Sequence, residues 1–323
     1  MIGILLLNMG GPDSPGAVKP FLYNLFSDRD IIRLGPAFLQ KPIASIIIAL
    51  RLKKAIGTYG LIGGKSPLIE ITAAQAKALE AVLSSSTVAD RPSPGFTVGV
   101  GMRYWHPFVK ETLEEMVRKG ITKIIGLSLY PHYSVATTGS SVKEFEAVAS
   151  RYPVEYTSIT SWFDHPLYID ALAEKIREGM ARFEKKPAVL FSAHSLPQKF
   201  VDAGDPYVQE IQGTVTALAR KIDMEWYLSY QSKTGPVKWL EPTTEHMLHE
   251  LANKGVRDLL VVPISFVSDH IETLYEIDIL YREMAEGFGV ENFRRTESLN
   301  TSPRFIEALA AIALQKAKEA GWA

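Results

Sequence analysis

Two similar patterns of apolar and polar positions recur along the chain. Lys119-Gly120-Ile121 leads into the apolar run 124–131, and 135 residues later Lys254-Gly255-Val256 leads into the run 259–266. Each run has strand length, and each follows a stretch with helical period, 107–119 and 242–254, closed by a glycine that can take the left-handed cap conformation. A second echo, offset by 137 residues, pairs 161–173 (SWFDHPLYIDALA) with 298–310 (SLNTSPRFIEALA). A third pairs 6–12 (LLNMGGP) with 190–197 (LFSAHSLP), both a strand running into a turn that closes on proline. Its offset of 184 requires an insertion in the first half.

Each half therefore reads strand, helical stretch, strand, helix, strand, short strand, helix. Strands alternating with helices at this spacing form parallel sheets covered on both faces. The predicted fold is α/β, with two pseudo-symmetric Rossmann-like lobes and a cleft between them. The lobes are placed at 1–160 and 161–323, with the C-terminal helix free to pack back on the first. Ligands of such sheets lie beyond the carboxyl ends of the strands, which selects residues 8–13, 103–107, 130–140, 192–198, 230–239 and 266–276.

Composition adds limits. The chain has 323 residues, is 46% hydrophobic and carries a formal net charge of −1, so nothing favours nucleic acid or an anionic surface in general. It has no cysteine, which removes disulfides, thiolate zinc, iron–sulfur clusters and cysteine nucleophiles. The apolar start, MIGILLLN, has no basic segment before it and reads as a buried first strand rather than a signal peptide. Residues 37–56 predict an amphipathic helix with a basic end at Arg51, Lys53 and Lys54. It is too short and too interrupted to span a bilayer, which needs about 20 apolar residues, but peripheral contact stays open.

Three clusters at strand ends carry chemistry. His194, in FSAHSLP, stands where a histidine can be a base or a metal ligand, and equally where one can simply bond a turn. The neighbouring serines lack the G-x-S-x-G elbow of a hydrolase. In SDHIETLYEID, with a helix expected from about Ser268, Asp269, Glu272 and Glu276 are spaced to share one helical face. Dipole pairing explains the first two acids comfortably and the third less well; oxygen and imidazole donors suit a loosely held divalent ion such as Fe²⁺. Arg103-Tyr104-Trp105-His106, Tyr130-Pro131-His132-Tyr133 and Tyr230-Gln231-Ser232-Lys233 with Trp239 combine rings and isolated cations. They suit core packing or a flat apolar ligand with acidic arms. Two decoys fail: GLIGGKS has Tyr59 where a P-loop needs glycine, and His246 and His249 sit mid-helix without the H-E-x-x-H pattern.

These segments resemble ferrochelatases. The matching stretches are 5–12 (LLLNMGGP), 25–31 (LFSDRDI), 101–107 (GMRYWHP), 130–141 (YPHYSVATTGSS), 191–197 (FSAHSLP), 204–207 (GDPY), 231–236 (QSKTGP) and 268–278 (SDHIETLYEID), in family order over nearly the whole chain. The resemblance implies a porphyrin cleft and the insertion of Fe²⁺ into protoporphyrin IX. It implies that His194 and Glu272 are catalytic and that both, with Glu276 and Asp269, face the metal. It implies that Met9, Tyr59, Arg103, Tyr130, Lys233, Trp239 and Phe266 line the macrocycle or its propionates. A neutral imidazole at His194, of ordinary pKa, would take the pyrrole protons. The chain ends without the cysteine-bearing extension of animal relatives, so no iron–sulfur cofactor and a monomer are expected. No transit peptide precedes Met1, which fits a cytoplasmic enzyme at the inner face of the membrane. His132 and Tyr230 depart from residues common in the family. The rival readings are a coproporphyrin III ferrochelatase, a sirohydrochlorin chelatase and a non-catalytic porphyrin or haem carrier.

Overall fold

The apolar N-terminal run forms strand β1 (Ile2–Asn8), buried at every position, as a parallel strand covered on both faces must be. The computed structural model describes residues 1–85, 95–235 and 237–323; Pro236 of the QSKTGP segment lies outside the described residues. After β1 come α1 (Val18–Ser27), α2 (Gln40–Leu61), α3 (Leu68–Ser85), β2 (Phe96–Met102), α4 (Val109–Arg118) and β3 (Lys123–Ser128). A π-helical turn (Val135–Gly139), α5 (Ser140–Ala149), β4 (Glu155–Ile159) and α6 (Pro166–Met180) complete the first half of the repeat. The second half runs β5 (Ala188–His194), α7 (Gln198–Asp202), α8 (Tyr207–Ala219), β6 (Trp226–Gln231), α9 (Thr244–Asn253) and β7 (Asp258–Pro263). It ends with a long π-helix (Glu272–Tyr281), α10 (Arg282–Phe288), β8 (Asn292–Arg295) and α11 (Pro303–Glu319).

The strands form two four-stranded sheets with the same order, β2-β1-β3-β4 and β6-β5-β7-β8, every pairing parallel. The repeat seen in the sequence is thus a repeat of topology. It extends further: a cis X-Pro bond precedes both α4 and α9, at His106–Pro107 and Glu241–Pro242. A π-helix follows both β3 and β7, an element the helical period of the sequence did not reveal.

The chain divides into two units, Met1–Trp162 with Asn300–Ala323, and Phe163–Leu299. The second unit ends at Leu299 and not at the chain terminus, because α11 packs on α3 and β3 of the first. Its counterpart α6 packs on α8 and β7 of the second. Each half therefore gives up its last helix to the other half's sheet. In the first unit Leu5 and Leu7 meet Leu113, Met116 and Phe145 of α4 and α5. A side chain at Gly126 would come within 2.7 Å of the Phe145 ring, so glycine there lets α5 lie close on β3. In the second unit Leu190, Leu259 and Val261 meet Leu248 and Leu251 of α9 and Ile277 of the π-helix.

Candidate active site

In a sheet ordered 6-5-7-8 the chain leaves β5 to one side and returns on the other, so a crevice opens at the carboxyl ends of β5 and β7. His194 is the last residue of β5, three residues beyond the strand end expected from sequence. Its backbone is fixed from two sides. Its N–H donates to Ser265 Oγ (3.0 Å), and its carbonyl accepts from the Tyr207 hydroxyl (2.9 Å), which also lies 2.6 Å from Ser265 Oγ. The imidazole meets the Phe266 ring edge-on at 6.2 Å, and Phe266 in turn meets His270 at 4.3 Å.

His194 Nδ1 lies 2.8 Å from Glu272 Oε2. This contact assigns the proton to Nδ1 and leaves Nε2 without a hydrogen bond among the described residues. The side chains of His194 and Glu272 keep 32% and 20% of their exposure, so the pair is reachable yet largely dry. Burial disfavours the imidazolium, but the Glu272 carboxylate outweighs it and raises the His194 pKa above the ordinary histidine value. Burial would likewise raise Glu272, and the His194 charge with its hydrogen bond instead holds it down at about 2. The imidazole of ordinary pKa expected from sequence is thus made more basic by the fold, because that expectation omitted the carboxylate beside the ring.

Glu276 behaves oppositely. Burial, then the charge of Glu272, pushes its pKa up to about 7. Two nearby carboxylates in a low-dielectric site cannot both ionise freely. Ser232 stands between them: its Oγ lies 2.9 Å from Glu272 Oε2 and in still closer contact with Glu276 Oε2. Gln231 adds an amide N–H to Glu276 Oε2 at 3.0 Å, while its carbonyl accepts from Ser192 Oγ at 2.6 Å. Ser192 and Ser229 both meet Thr244 Oγ1, at 3.1 and 3.0 Å. Behind the carboxylates is thus a buried polar ladder running across β5, β6 and α9.

The acids reach this point because Glu272–Tyr281 is a π-helix, whose wide turn is characteristic of functional sites. It begins at Glu272 and not near Ser268, so the three acids do not share one face. Asp269 precedes the helix and faces away from the His194 cluster: its Oδ1 accepts from Arg295 Nη1 (2.9 Å), Ser298 Oγ (2.7 Å) and Thr273 Oγ1 (3.1 Å). Arg295 also grips Asp278 through Nε (2.9 Å) and Nη2 (2.8 Å). One guanidinium so ties the residue before the π-helix to a residue inside it.

The remaining predicted residues fall in both units. Trp239 donates its indole N–H to the Thr234 carbonyl (2.9 Å), and Lys233 beside it is exposed. Met9 and Arg103 directly follow β1 and β2, Tyr130 stands two residues beyond β3, and Tyr59 lies buried on α2. Arg103 is already engaged. It donates to Asp28 Oδ2 (2.8 Å) and Ser140 Oγ (3.0 Å) and lies 3.4 Å from Glu144. Asp28 Oδ2 also accepts from the Tyr104 hydroxyl at 2.6 Å. Burial opposes the Asp28 charge, but the hydrogen bonds of Tyr104 and Asp30 and the charge of Arg103 outweigh it and lower its pKa. Burial alone drives His132 down to about 3, so it is neutral. His246 and His249 are exposed on α9, as a solvated face requires. Asp28, Tyr207, Gln231, Ser232, Ser265 and His270 were not singled out for these roles. Most stand inside the segments that carry the resemblance, but no spacing rule links residues so far apart.

The doubled four-stranded arrangement is a fold also seen in chelatases. SirB from Bacillus subtilis with Fe³⁺ superposes with a TM-score of 0.62 at 14% identity, over 99% of this chain and 97% of that one. The sirohydrochlorin chelatase SirB from Bacillus subtilis subspecies spizizenii, in complex with cobalt, gives 0.58 at 14% identity over 98% and 95%. Within that fold, the model of the ferrochelatase family matches residues 1–317. A ferrochelatase from Geotalea uraniireducens is 54% identical over 314 residues, 95% of each chain. One from Synechocystis is 47% identical over 322 residues, 97% of this chain and 82% of that one. The chain belongs to the ferrochelatase family, lyases that insert iron into a porphyrin.

Proposed function

We propose that this enzyme inserts Fe²⁺ into protoporphyrin IX, releasing two pyrrole protons and giving protohaem. The observation that carries the reading is the His194–Glu272–Ser232–Glu276 chain at the switch point of the second sheet. Insertion demands that an ion shed water and that two N–H protons leave. An imidazole with a free Nε2 can meet the ring nitrogens, while the carboxylates behind it draw in the cation and take up protons. A flat free-base ring presents its lone pairs poorly to an ion outside its plane. Binding energy from the rings and aliphatic groups assigned to the macrocycle, Met9, Tyr59, Tyr130, Trp239 and Phe266, can bend it towards the product shape by about 1–5 kcal/mol. Arg103 and Lys233 are assigned to the propionates.

Protoporphyrin is favoured over a more carboxylated ring because the segment around α2 is apolar. Phe38, Ile46 and Leu50 are exposed to 78%, 61% and 80%, which suits vinyl-bearing edges and a substrate delivered from lipid. No helix among the described residues is long and apolar enough to cross a membrane. The resemblance further suggests a monomer in the cytoplasm, and the exposed apolar residues around α2 support peripheral contact with the inner membrane.

The test is anaerobic metallation of protoporphyrin IX and coproporphyrin III in parallel. Multiple-turnover loss of the free-base spectrum with protoporphyrin is expected. His194→Ala should nearly abolish it while porphyrin binding, read by fluorescence, persists. Undiminished turnover in that variant would sink the assignment of His194, and faster turnover of coproporphyrin would reassign the acceptor. Tight binding without metallation would indicate a carrier.

A further inference from the structure

Resting on the placement of His194 at the reacting face, we propose that Tyr207 and Ser265 are positioning residues for metallation. Their hydroxyls close a one-way ring of hydrogen bonds through the backbone N–H and carbonyl of His194, and so set where its imidazole stands.

The direction of the ring follows from counting hydrogens. The His194 N–H can only donate, and it gives its hydrogen to Ser265 Oγ. The His194 carbonyl can only accept, and it takes the hydrogen of the Tyr207 hydroxyl. A phenol carries one hydrogen, so at the 2.6 Å contact between the two hydroxyls Ser265 donates and Tyr207 accepts. Each hydroxyl then donates once and accepts once within the ring, and a single polarity is available. Hydrogen bonds in this head-to-tail order polarise and strengthen one another. Removing either hydroxyl opens the whole ring.

Three separate elements meet there. His194 ends β5, Ser265 lies two residues beyond β7, and Tyr207 opens α8. Both hydroxyl residues are buried, which keeps water from competing for their contacts. The GDPY segment finds its use in this arrangement. Gly204, at a φ of 92°, turns the chain after α7 in a conformation that favours glycine. Asp205 Oδ1 then accepts from the Tyr207 N–H at 3.0 Å and fixes the first residue of α8 against that turn. On the other side, Phe266 follows Ser265 directly and meets the His194 imidazole edge-on. One short segment after β7 thus holds both the backbone and the ring of His194. That ring must keep Nδ1 on Glu272 with Nε2 left for the substrate, and a displacement of about 1 Å in such a group can cost about 100-fold in rate.

The test is steady-state anaerobic metallation of protoporphyrin IX with Fe²⁺ by the full chain carrying Tyr207→Phe, Ser265→Ala or both. Turnover is expressed per porphyrin-binding site, titrated by fluorescence, so that misfolded protein does not enter the comparison. Each single variant should lower kcat by about 10- to 100-fold and keep the porphyrin KM within about twofold of the parent. The double variant should fall no further than the more impaired single one, because the ring is already open. Parent-like kcat in either single variant, or a loss confined to KM, would overturn the proposal. So would losses that multiply in the double variant, the behaviour of two independent contacts. His194→Ala run in parallel separates the two ideas. If it too keeps full turnover, the assignment of the site itself fails; if it is inactive while Tyr207→Phe matches the parent, only the positioning ring fails.

Discussion

Glu272 and Glu276 are the same residue type, four positions apart, and the fold drives them in opposite directions, one held at about 2 and the other pushed up to about 7. The cause is the surroundings each meets: the His194 ring for Glu272, burial and a like charge for Glu276. This division has a consequence for stability. Because the folded pKa of Glu276 lies above its unfolded value of 4.5, its contribution is fully present below about pH 4.5 and is lost as pH rises through about 7. Glu276→Gln has no ionisation to suffer, so its thermal midpoint should rise relative to the parent between pH 5.5 and 8.5. A constant difference across that range would show that Glu276 does not titrate there. The same variant retains a hydrogen-bonding side chain for Gln231 and Ser232 but lacks a basic carboxylate, and its metallation rate should fall.

At the scale of elements, the decisive one is the π-helix, whose ten residues carry both carboxylates. A π-helix of that length needs outside support, and Arg295 at the end of β8 supplies it through Asp269 and Asp278. The three side chains are 10%, 18% and 27% exposed, so the triad is largely removed from water. Arg295→Ala leaves two acids facing each other without compensation. Allowing for their partial exposure, the cost should be about 2–3 kcal/mol, measured by denaturant unfolding. Arg295→Lys keeps the charge but loses the fork that grips Asp278 bidentately, and should recover part of the stability and less of the activity. Equal loss in both variants would indicate that charge alone, and not the geometry of the grip, holds the helix.

For the whole molecule the governing feature is duplication with exchange, since α6 and α11 each cover the sheet of the other half. Neither half is therefore a self-sufficient module. Among the described residues, Leu39, Ile46, Leu50 and Leu61 fall within about 60° on the face of the helical segment around α2, and all four are exposed. Lys53 and Lys54 lie beside them and are also exposed. An apolar stripe with flanking lysines suits the boundary of a bilayer. The double variant Ile46→Ser, Leu50→Ser should co-sediment with vesicles containing anionic lipid several-fold less than the parent. Its turnover with porphyrin in detergent should be retained. Equal sedimentation would remove the membrane from the account of this surface.

The sequence by itself determined the α/β class, the doubled topology and the segments that hold the candidate site, because period, glycine caps and strand-end clusters are local or regularly repeated signals. It also brought out His194, at the carboxyl end of β5, and Glu272 and Glu276, on the helix that follows β7. Tertiary structure alone decided which of them meet. Ser232 and Glu272 are forty positions apart, and only the pairing of β5 with both β6 and β7 brings their segments together. The start of the acidic helix, and its π rather than α winding, depended on a grip by Arg295 from another strand, so Asp269 left the face that α spacing gave it. The raised basicity of His194 likewise depended on a neighbour 78 positions away. Periodicity reports how a segment buries itself; pairing between distant polar groups is fixed only when the sheet closes and the dielectric around them falls.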